Sequence, residues 1–160
     1  MQTFERDLRV DAPLDEVWAF HSTVDGLLAL TPDLANLRID DVEWPADRGE
    51  RDDEVLVEGT RIHMSVRPLG VGPRQTWKSV ITERVEEDDH AYFVDRMEDG
   101  PFPAWEHTHS FFADGDQTVL RDHVEYRAPL GGLGALGSTA VMRPMFYFRH
   151  RETRASLGDA

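Results

Sequence analysis

The spacing of apolar positions changes along this chain, from a short alternation to a helical period, back to alternation, and finally to a helical period again. Phe4, Leu8 and Val10 in "TFERDLRVDAP" predict a first strand that runs into a helix start. Pro13 suits the first helical position, and Asp15 and Glu16 fall in the first turn, where acids favour the helix dipole. Leu14, Val17, Trp18 and His21 follow at the spacing of one helical face, with Trp18 read as core, and "TVDGLLALT" predicts a second short helix ending at Thr31-Pro32. Strand signals then dominate. "ANLRIDDVEW" alternates weakly, while Ile62, Met64 and Val66 share one face of "VLVEGTRIHMSVRP". Trp77, Ser79 and Ile81 share a face in the next segment, and Phe93, Asp95 and Met97 in the one after it. "AWEHTHSFF" and "QTVLRDHVEYRAP" flank "ADGD", whose Asp114-Gly115 is a hairpin signal.

The chain closes with "GGLGALGSTAVMRPMFYFRHRETRASL", which predicts one long helix with Val141, Met142, Met145, Phe146 and Phe148 on its buried side. Arg149, His150, Arg151 and Arg154 read as cations that complement the dipole at its C-terminal end, and Pro144 should kink it, because proline cannot donate to the carbonyl of Ala140. The order predicts an α+β fold: a strand, two short helices, a run of about six antiparallel strands and a long helix. A sheet of that length curls, and the helix can lie in its concave face with a cavity between them. With no repeat, low-complexity tract or linker in 160 residues, one domain over 1–160 is expected.

Composition adds exclusions. There is no Cys, so disulfides, thiolate metal sites and cysteine nucleophiles drop out. The N-terminus carries charges where a signal peptide needs an apolar run, and no segment is long enough to span a bilayer, so a cytoplasmic location is expected. Asp plus Glu number 31 against 17 Lys plus Arg, a formal net charge of -14, and Lys78 is the one lysine. Such a chain repels nucleic acid and anionic membranes. It also repels itself, which is tolerable where salt shortens the Debye length to about 3 Å at 1 M, and the acid excess with near absence of lysine reads as halophilic. The acidic stretches "IDDVEW", "RGERDDE" and "VEEDD" read as solvated loops and strand ends.

Four segments, "VDAPLDEVWAF", "LTP", "DRMEDGPFPAWEHTHSF" and "RDHVEYRAPLGGLG", taken in order, resemble the SRPBCC superfamily, the START or Bet v 1-like helix-grip proteins, and most of all its prokaryotic ligand-binding or polyketide-cyclase-like branch. The resemblance spans essentially the whole chain. It implies a curved antiparallel sheet of about seven strands wrapped around the long C-terminal helix, with a hydrophobic cavity beneath that helix. Members include lipid carriers, hormone sensors and cyclases, so the fold does not choose among them. Arg96-Met97 stands where an Asp-x-Gln pattern is frequent in the family, and Met97 makes the implied pocket more apolar.

In "AWEHTHSFF", residues two apart share a strand face, so Trp105, His107, His109 and Phe111 point inward together; on the next strand Leu120, Asp122, Val124 and Tyr126 do the same. A two-residue turn at Asp114-Gly115 pairs Ala113 with Asp116 and sets His107 opposite Asp122; a turn shifted by one pair sets His109 there instead. Asp95 comes beside His107 through the Gly100-Pro101 connection. A polar row of Asp95, His107 and Asp122 therefore crosses three strands. Four readings fit it: a satisfied buried network, a patch that orients a ligand, an acid–base pair, and a three-ligand metal site. "GLGALG" fits a dinucleotide fingerprint literally, but the chain ends inside the helix that follows, so a tight turn into that helix or a close-packed pocket entrance is the reading.

The preferred expectation is a carrier or sensor of a small hydrophobic molecule, with Trp77, Ile81, Phe93, Trp105, Val124, Met142, Met145 and Phe146 as walls, Met97 and Phe102 completing the apolar lining, and His107, His109, Asp95 and Asp122 orienting a polar end. The alternative is a cyclase, dehydratase or hydrolase using His107 or His109 as base with Asp122 holding its tautomer. A third is an interaction module with a collapsed pocket. The expectation includes no cofactor, no metal, no nucleic acid and no stable membrane association, and leaves ligand identity and oligomeric state open.

Overall fold

Alternation along the strands builds one curved sheet whose inner face meets the last helix. The computed structural model describes residues 1–49 and 53–158. The elements are β1 (Gln2–Val10), α1 (Leu14–His21), α2 (Val24–Ala29), β2 (Arg38–Glu43), β3 (Arg61–Val66), β4 (Gln75–Glu86), β5 (His90–Glu98), β6 (Ala104–Asp114), β7 (Gln117–Arg127) and α3 (Gly131–Leu157). The sheet has seven antiparallel strands in the order β1-β7-β6-β5-β4-β3-β2, so β2 to β7 form a meander and β1 returns beside β7. This is the α+β helix-grip architecture, with two short helices after the first strand.

α1 starts one residue later than expected, with Pro13 as its N-cap, while Thr23 caps α2 by accepting from the Gly26 amide. Val17, Trp18 and His21 are the buried stripe of α1. The Trp18 ring meets Phe111 edge-on at 5.4 Å, and its indole N–H donates to Glu86 at 2.8 Å. "RGERDDE" falls partly outside the described residues, and β3 begins only at Arg61, so Val55 to Thr60 approach it as an irregular segment.

Two local features set the curvature and the register. β4 carries a bulge between Ile81 and Glu83, so that Ile81 opposes Asp95 and Arg84 opposes Phe93. A bulge bends its strand and re-aims the side chains beyond it, which brings Arg84 to the inner face. There its guanidinium lies 4.3 Å over Trp18 and donates to Ser22 Oγ and the Leu56 carbonyl. The β6–β7 hairpin turns on Gly115-Asp116, not on Asp114-Gly115. Asp114 pairs with Gln117, and Gly115 takes φ 61. Positive φ at the first central position is what a Gly-first hairpin turn requires. The consequence is that Ala113 pairs with Thr118, not Asp116, and His109, not His107, stands opposite Asp122.

α3 continues through Pro144. Its buried stripe is Ser138, Met142, Phe146, His150 and Thr153, and Val141 is 65% exposed, so the expected stripe was out of phase at Val141. "GLGALG" lies in the first turns of α3 and is a packing feature. A Cβ on Gly134 would stand 1.5 Å from the Pro129 carbonyl oxygen, so only glycine lets the helix start this close to the preceding turn.

Candidate functional site

Inside the sheet the apolar side chains form two groups. Leu8, Val17, Trp18, Ile62, Met64, Ile81, Phe93 and Phe111 pack around α1, with Trp77 against them. Val124, Tyr126, Met142 and Phe146 pack beneath α3, with Phe4, Phe102, Trp105 and Met145 against them. Two side-chain stacks span the seam between the groups: His109 lies 4.1 Å from the Phe93 ring, and His107 meets Phe146 edge-on at 5.2 Å. The two imidazoles are 3.5 Å apart, centroid to centroid.

The seam holds five titratable groups from four elements. Asp95 comes from β5, His107 and His109 from β6, Asp122 from β7 and His150 from α3. Directly opposed residues are not the ones that bond; the contacts run diagonally. His109 Nε2 donates to Asp95 Oδ2 at 2.7 Å, and His107 Nε2 donates to Asp122 Oδ1 at 2.8 Å. His150 Nε2 donates to the second Asp122 oxygen, Oδ2, at 2.7 Å. Each imidazole thus gives its Nε2–H to a carboxylate; in a neutral ring that leaves Nδ1 as the lone-pair acceptor. Those of His109 and His150 are buried and have no hydrogen-bond partner. His109 Nδ1 lies 3.5 Å from Asp122 Oδ1, and His107 Nδ1 lies 3.8 Å from Asp95 Oδ2.

Burial sets the charge states. It pushes His109 down from 6.5 to about 4, with neighbouring His107 acting the same way and the Asp95 hydrogen bond opposing. Burial alone would raise both carboxyls, but the histidine hydrogen bonds outweigh it, holding Asp122 well below the usual carboxylate range and Asp95 also lowered. His21, buried beneath Phe111 with Nδ1 donating to the Val17 carbonyl, is held down to about 3 by desolvation. These shifts have one sign. Between pH 6.5 and 4 the unfolded chain binds a proton at His109 that the folded chain does not, so stability is full above pH 6.5 and falls as pH drops toward 4. His109 alone should account for a loss on the order of 3 kcal/mol over that window, with His21 and then the carboxylates adding to it in the same direction. Thermal midpoints measured between pH 7.5 and 4 should fall steadily with acid; a flat profile would show that the histidines are already charged in the fold.

Asp95, His107 and His109 also offer three ligand atoms within 4.8 Å of one another, the span of a metal site. Ligands on a tetrahedral zinc stand about 3.3 Å apart, given bonds of about 2.0–2.1 Å. In this arrangement the 2.7 Å between Asp95 Oδ2 and His109 Nε2 is the length of a charge-assisted hydrogen bond.

The structure therefore joins four of the sequence-assigned residues, His107, His109, Asp95 and Asp122, in one cluster. Ile81 and Phe93 pack toward α1, and Phe102, Trp105, Val124, Met142, Met145 and Phe146 pack beneath α3. Trp77 lines a groove of about 200 Å³ with Met64, beside β3. Met97 touches the turn after β5, where a Cβ on Gly100 would meet its sulfur. The sequence presents His150 only as a helix-end cation. Its signal is the four-residue spacing Met142, Phe146, His150, continued at Thr153, which carries a histidine along the buried stripe. The helix-grip arrangement is consistent with ligand binding, and no helix among the described residues is long and apolar enough to cross a membrane.

Residues 1–157 match the family described as polyketide cyclase / dehydrase and lipid transport. No curated protein matches the chain. Among solved structures, a protein from Chromobacterium violaceum aligns over 100% of both chains with a TM-score of 0.69 at 11% identity. A protein from Thermus thermophilus aligns over 97% of this chain and 99% of its own, with a TM-score of 0.62 at 15% identity. Norcoclaurine synthase from Thalictrum flavum, a point mutant in complex with a transition-state analogue, aligns over 97% of this chain and 95% of its own, with a TM-score of 0.59 at 19% identity. At these identities the likeness is one of fold.

Proposed function

This chain belongs to the polyketide cyclase / dehydrase and lipid transport family, and from that premise we propose that it is an acid–base enzyme of the cyclase or dehydratase kind, with His109 as the base. The observation that carries the reading is the His109 imidazole itself. Its Nε2–H is tied to Asp95, while its Nδ1 lone pair is buried and unpartnered. A patch built to orient a carrier's cargo would keep N–H donors free to meet it. Here all three Nε2 atoms are engaged by carboxylates, and on His109, which burial keeps neutral at pH 7, what remains is a lone pair able to accept a proton.

Asp95 is the positioning residue that holds the tautomer. Asp122, 3.5 Å from Nδ1, supplies the negative charge that stabilises the imidazolium once the proton arrives. The low pKa keeps His109 unprotonated at neutral pH and limits how strong a base it is, since Brønsted behaviour ties the two together. The cluster also offers no free donor for a developing oxyanion. Both limits point to one substrate class, a carbon acid flanked by two carbonyls, whose anion delocalises over its own oxygens. In the step, the C–H bond breaks, its proton passes to His109 Nδ1, and its electron pair moves into the conjugated enolate, which then either attacks a carbonyl elsewhere in the same molecule, the imidazolium returning its proton to the alkoxide formed, or expels a hydroxyl that the imidazolium protonates as water. A norcoclaurine synthase structure of this fold holds dopamine and hydroxybenzaldehyde, which supports the scaffold's use around small aromatic reactants.

The test is deuterium incorporation from heavy water into aryl β-diketones, followed by proton NMR. Protein-dependent exchange at the carbon between the carbonyls should be lost in His109→Gln and retained in Thr108→Val on the opposite face of β6. Exchange that is equal in wild type and His109→Gln would remove the base from the mechanism.

A further inference from the structure

Behind Phe146, as seen from the histidines, an open groove of about 410 Å³ runs between β1 and the first half of α3, lined among others by Thr3, Phe4, Arg6, Tyr126, Thr139 and Arg143. Its floor is aromatic, formed by Phe4 and Tyr126. Phe4 lies 4.9 Å from Phe146, and Phe146 meets the His107 ring at 5.2 Å. Arg6 stands opposite Asp122 in the β1–β7 register, yet its guanidinium turns outward to lie 5.4 Å over the Tyr147 ring.

The groove brings two arginines, Arg6 and Arg143, to one opening. In a chain with 31 acids, several cations meet carboxylates, Arg9 with Asp114, Arg61 with Glu98, Lys78 with Asp99 and Arg121 with Asp7, while Arg67 and Arg74 donate to backbone and amide oxygens instead. Among the described residues neither Arg6 nor Arg143 has a carboxylate within ion-pair distance. Glu5 also borders the groove, but its carboxylate accepts from His123 Nδ1 at 2.9 Å and lies 3.9 Å from Arg121. Two guanidiniums without a carboxylate partner, with the Thr3 hydroxyl beside them, form a donor set for a planar anion.

We propose that this groove is a binding site for an amphipathic organic acid, with the anionic group held between Arg6 and Arg143 and the apolar body lying on Phe4 and Tyr126. Its volume falls within the range of small-molecule pockets. The assignment of that acid as the substrate rests on His109 being the base, with Phe4 and Phe146 packed in series between the groove and His107. It narrows the substrate class to β-dicarbonyl compounds that also carry a carboxylate or comparable anion.

Two fluorescent probes with the same ring system separate charge from apolar contact: anilinonaphthalene sulfonate, which is anionic, and phenylnaphthylamine, which is neutral. Wild type should bind the sulfonate at least about tenfold more tightly than the amine, a ratio within reach of one or two charge-assisted hydrogen bonds. The double variant Arg6→Gln, Arg143→Gln should lose that preference while its affinity for the amine stays within about twofold; Arg6→Lys with Arg143→Lys should keep part of it, and a melting curve for each variant checks that the fold is intact. Equal affinity of wild type for the two probes, or a preference that survives in the glutamine pair, overturns the site. His109→Gln should leave the sulfonate preference unchanged. Loss of exchange with the preference intact would therefore implicate the base alone, and loss of the preference with exchange intact would implicate the groove alone.

Discussion

Replacing Asp122 by alanine should destabilise the protein by about 2–6 kcal/mol, because it leaves two buried N–H donors unsatisfied at about 1–3 kcal/mol each. Asp122 accepts from His107 through one oxygen and from His150 through the other, at 2.8 and 2.7 Å, and its side chain is 2% exposed. Its loss strands two buried N–H donors and removes a polar tie between β7 and α3. Against a typical domain stability of about 5–15 kcal/mol this is a large fraction. Asp122→Asn keeps one acceptor oxygen and should cost less, about 1–3 kcal/mol. Urea unfolding of the two variants measures both values. A loss below about 1 kcal/mol for alanine would mean that the cluster is hydrated and that α3 is held by apolar contacts alone.

The largest functional effect is expected at His109. Removing a general base costs about 10²–10⁴ in rate, and His109→Gln should slow β-diketone exchange by that factor. Glutamine keeps a polar side chain near Asp95 but brings no basic nitrogen, so the variant should remain folded. Asp95→Asn separates position from chemistry. It leaves His109 in place but withdraws the carboxylate that holds Nε2–H, so exchange should fall steeply while the unfolding midpoint moves much less than in Asp122→Ala. A rate that tracks stability across these variants, without a separate drop at His109 and Asp95, would mark the cluster as structural only.

Much of this site is legible in alternation. Two-residue spacing places His107 and His109 on the inner face of β6 and Asp122 on that of β7, because a half-buried strand leaves little freedom about which face is which. The features that depend on single residues are not legible in the same way. The hairpin register turns on whether Asp114 or Gly115 takes the first central position, and the positive φ at Gly115 decides it. The bulge after Ile81 leaves no mark in the apolar pattern, so the inward Arg84 has no signal in the sequence. His150 is hidden by its neighbours, since the cationic run Arg149, His150, Arg151 reads as a solvated helix end. Arg6 likewise looks like a polar break between Phe4 and Leu8, although strand alternation places it on their face. The preference for a carrier follows from the apolar walls; the diagonal pairing, which spends every Nε2–H on a carboxylate, exists only in three dimensions.

The base assignment depends most on one protonation state. Nitrogen NMR of imidazole-labelled protein, assigned by comparison with His109→Gln, reads that state directly. At pH 7 His109 should be neutral, with its proton on Nε2 and an unprotonated Nδ1, and should gain a second proton only near pH 4. An imidazolium at pH 7, or a neutral ring carrying its proton on Nδ1, would contradict the assignment of His109 as the base.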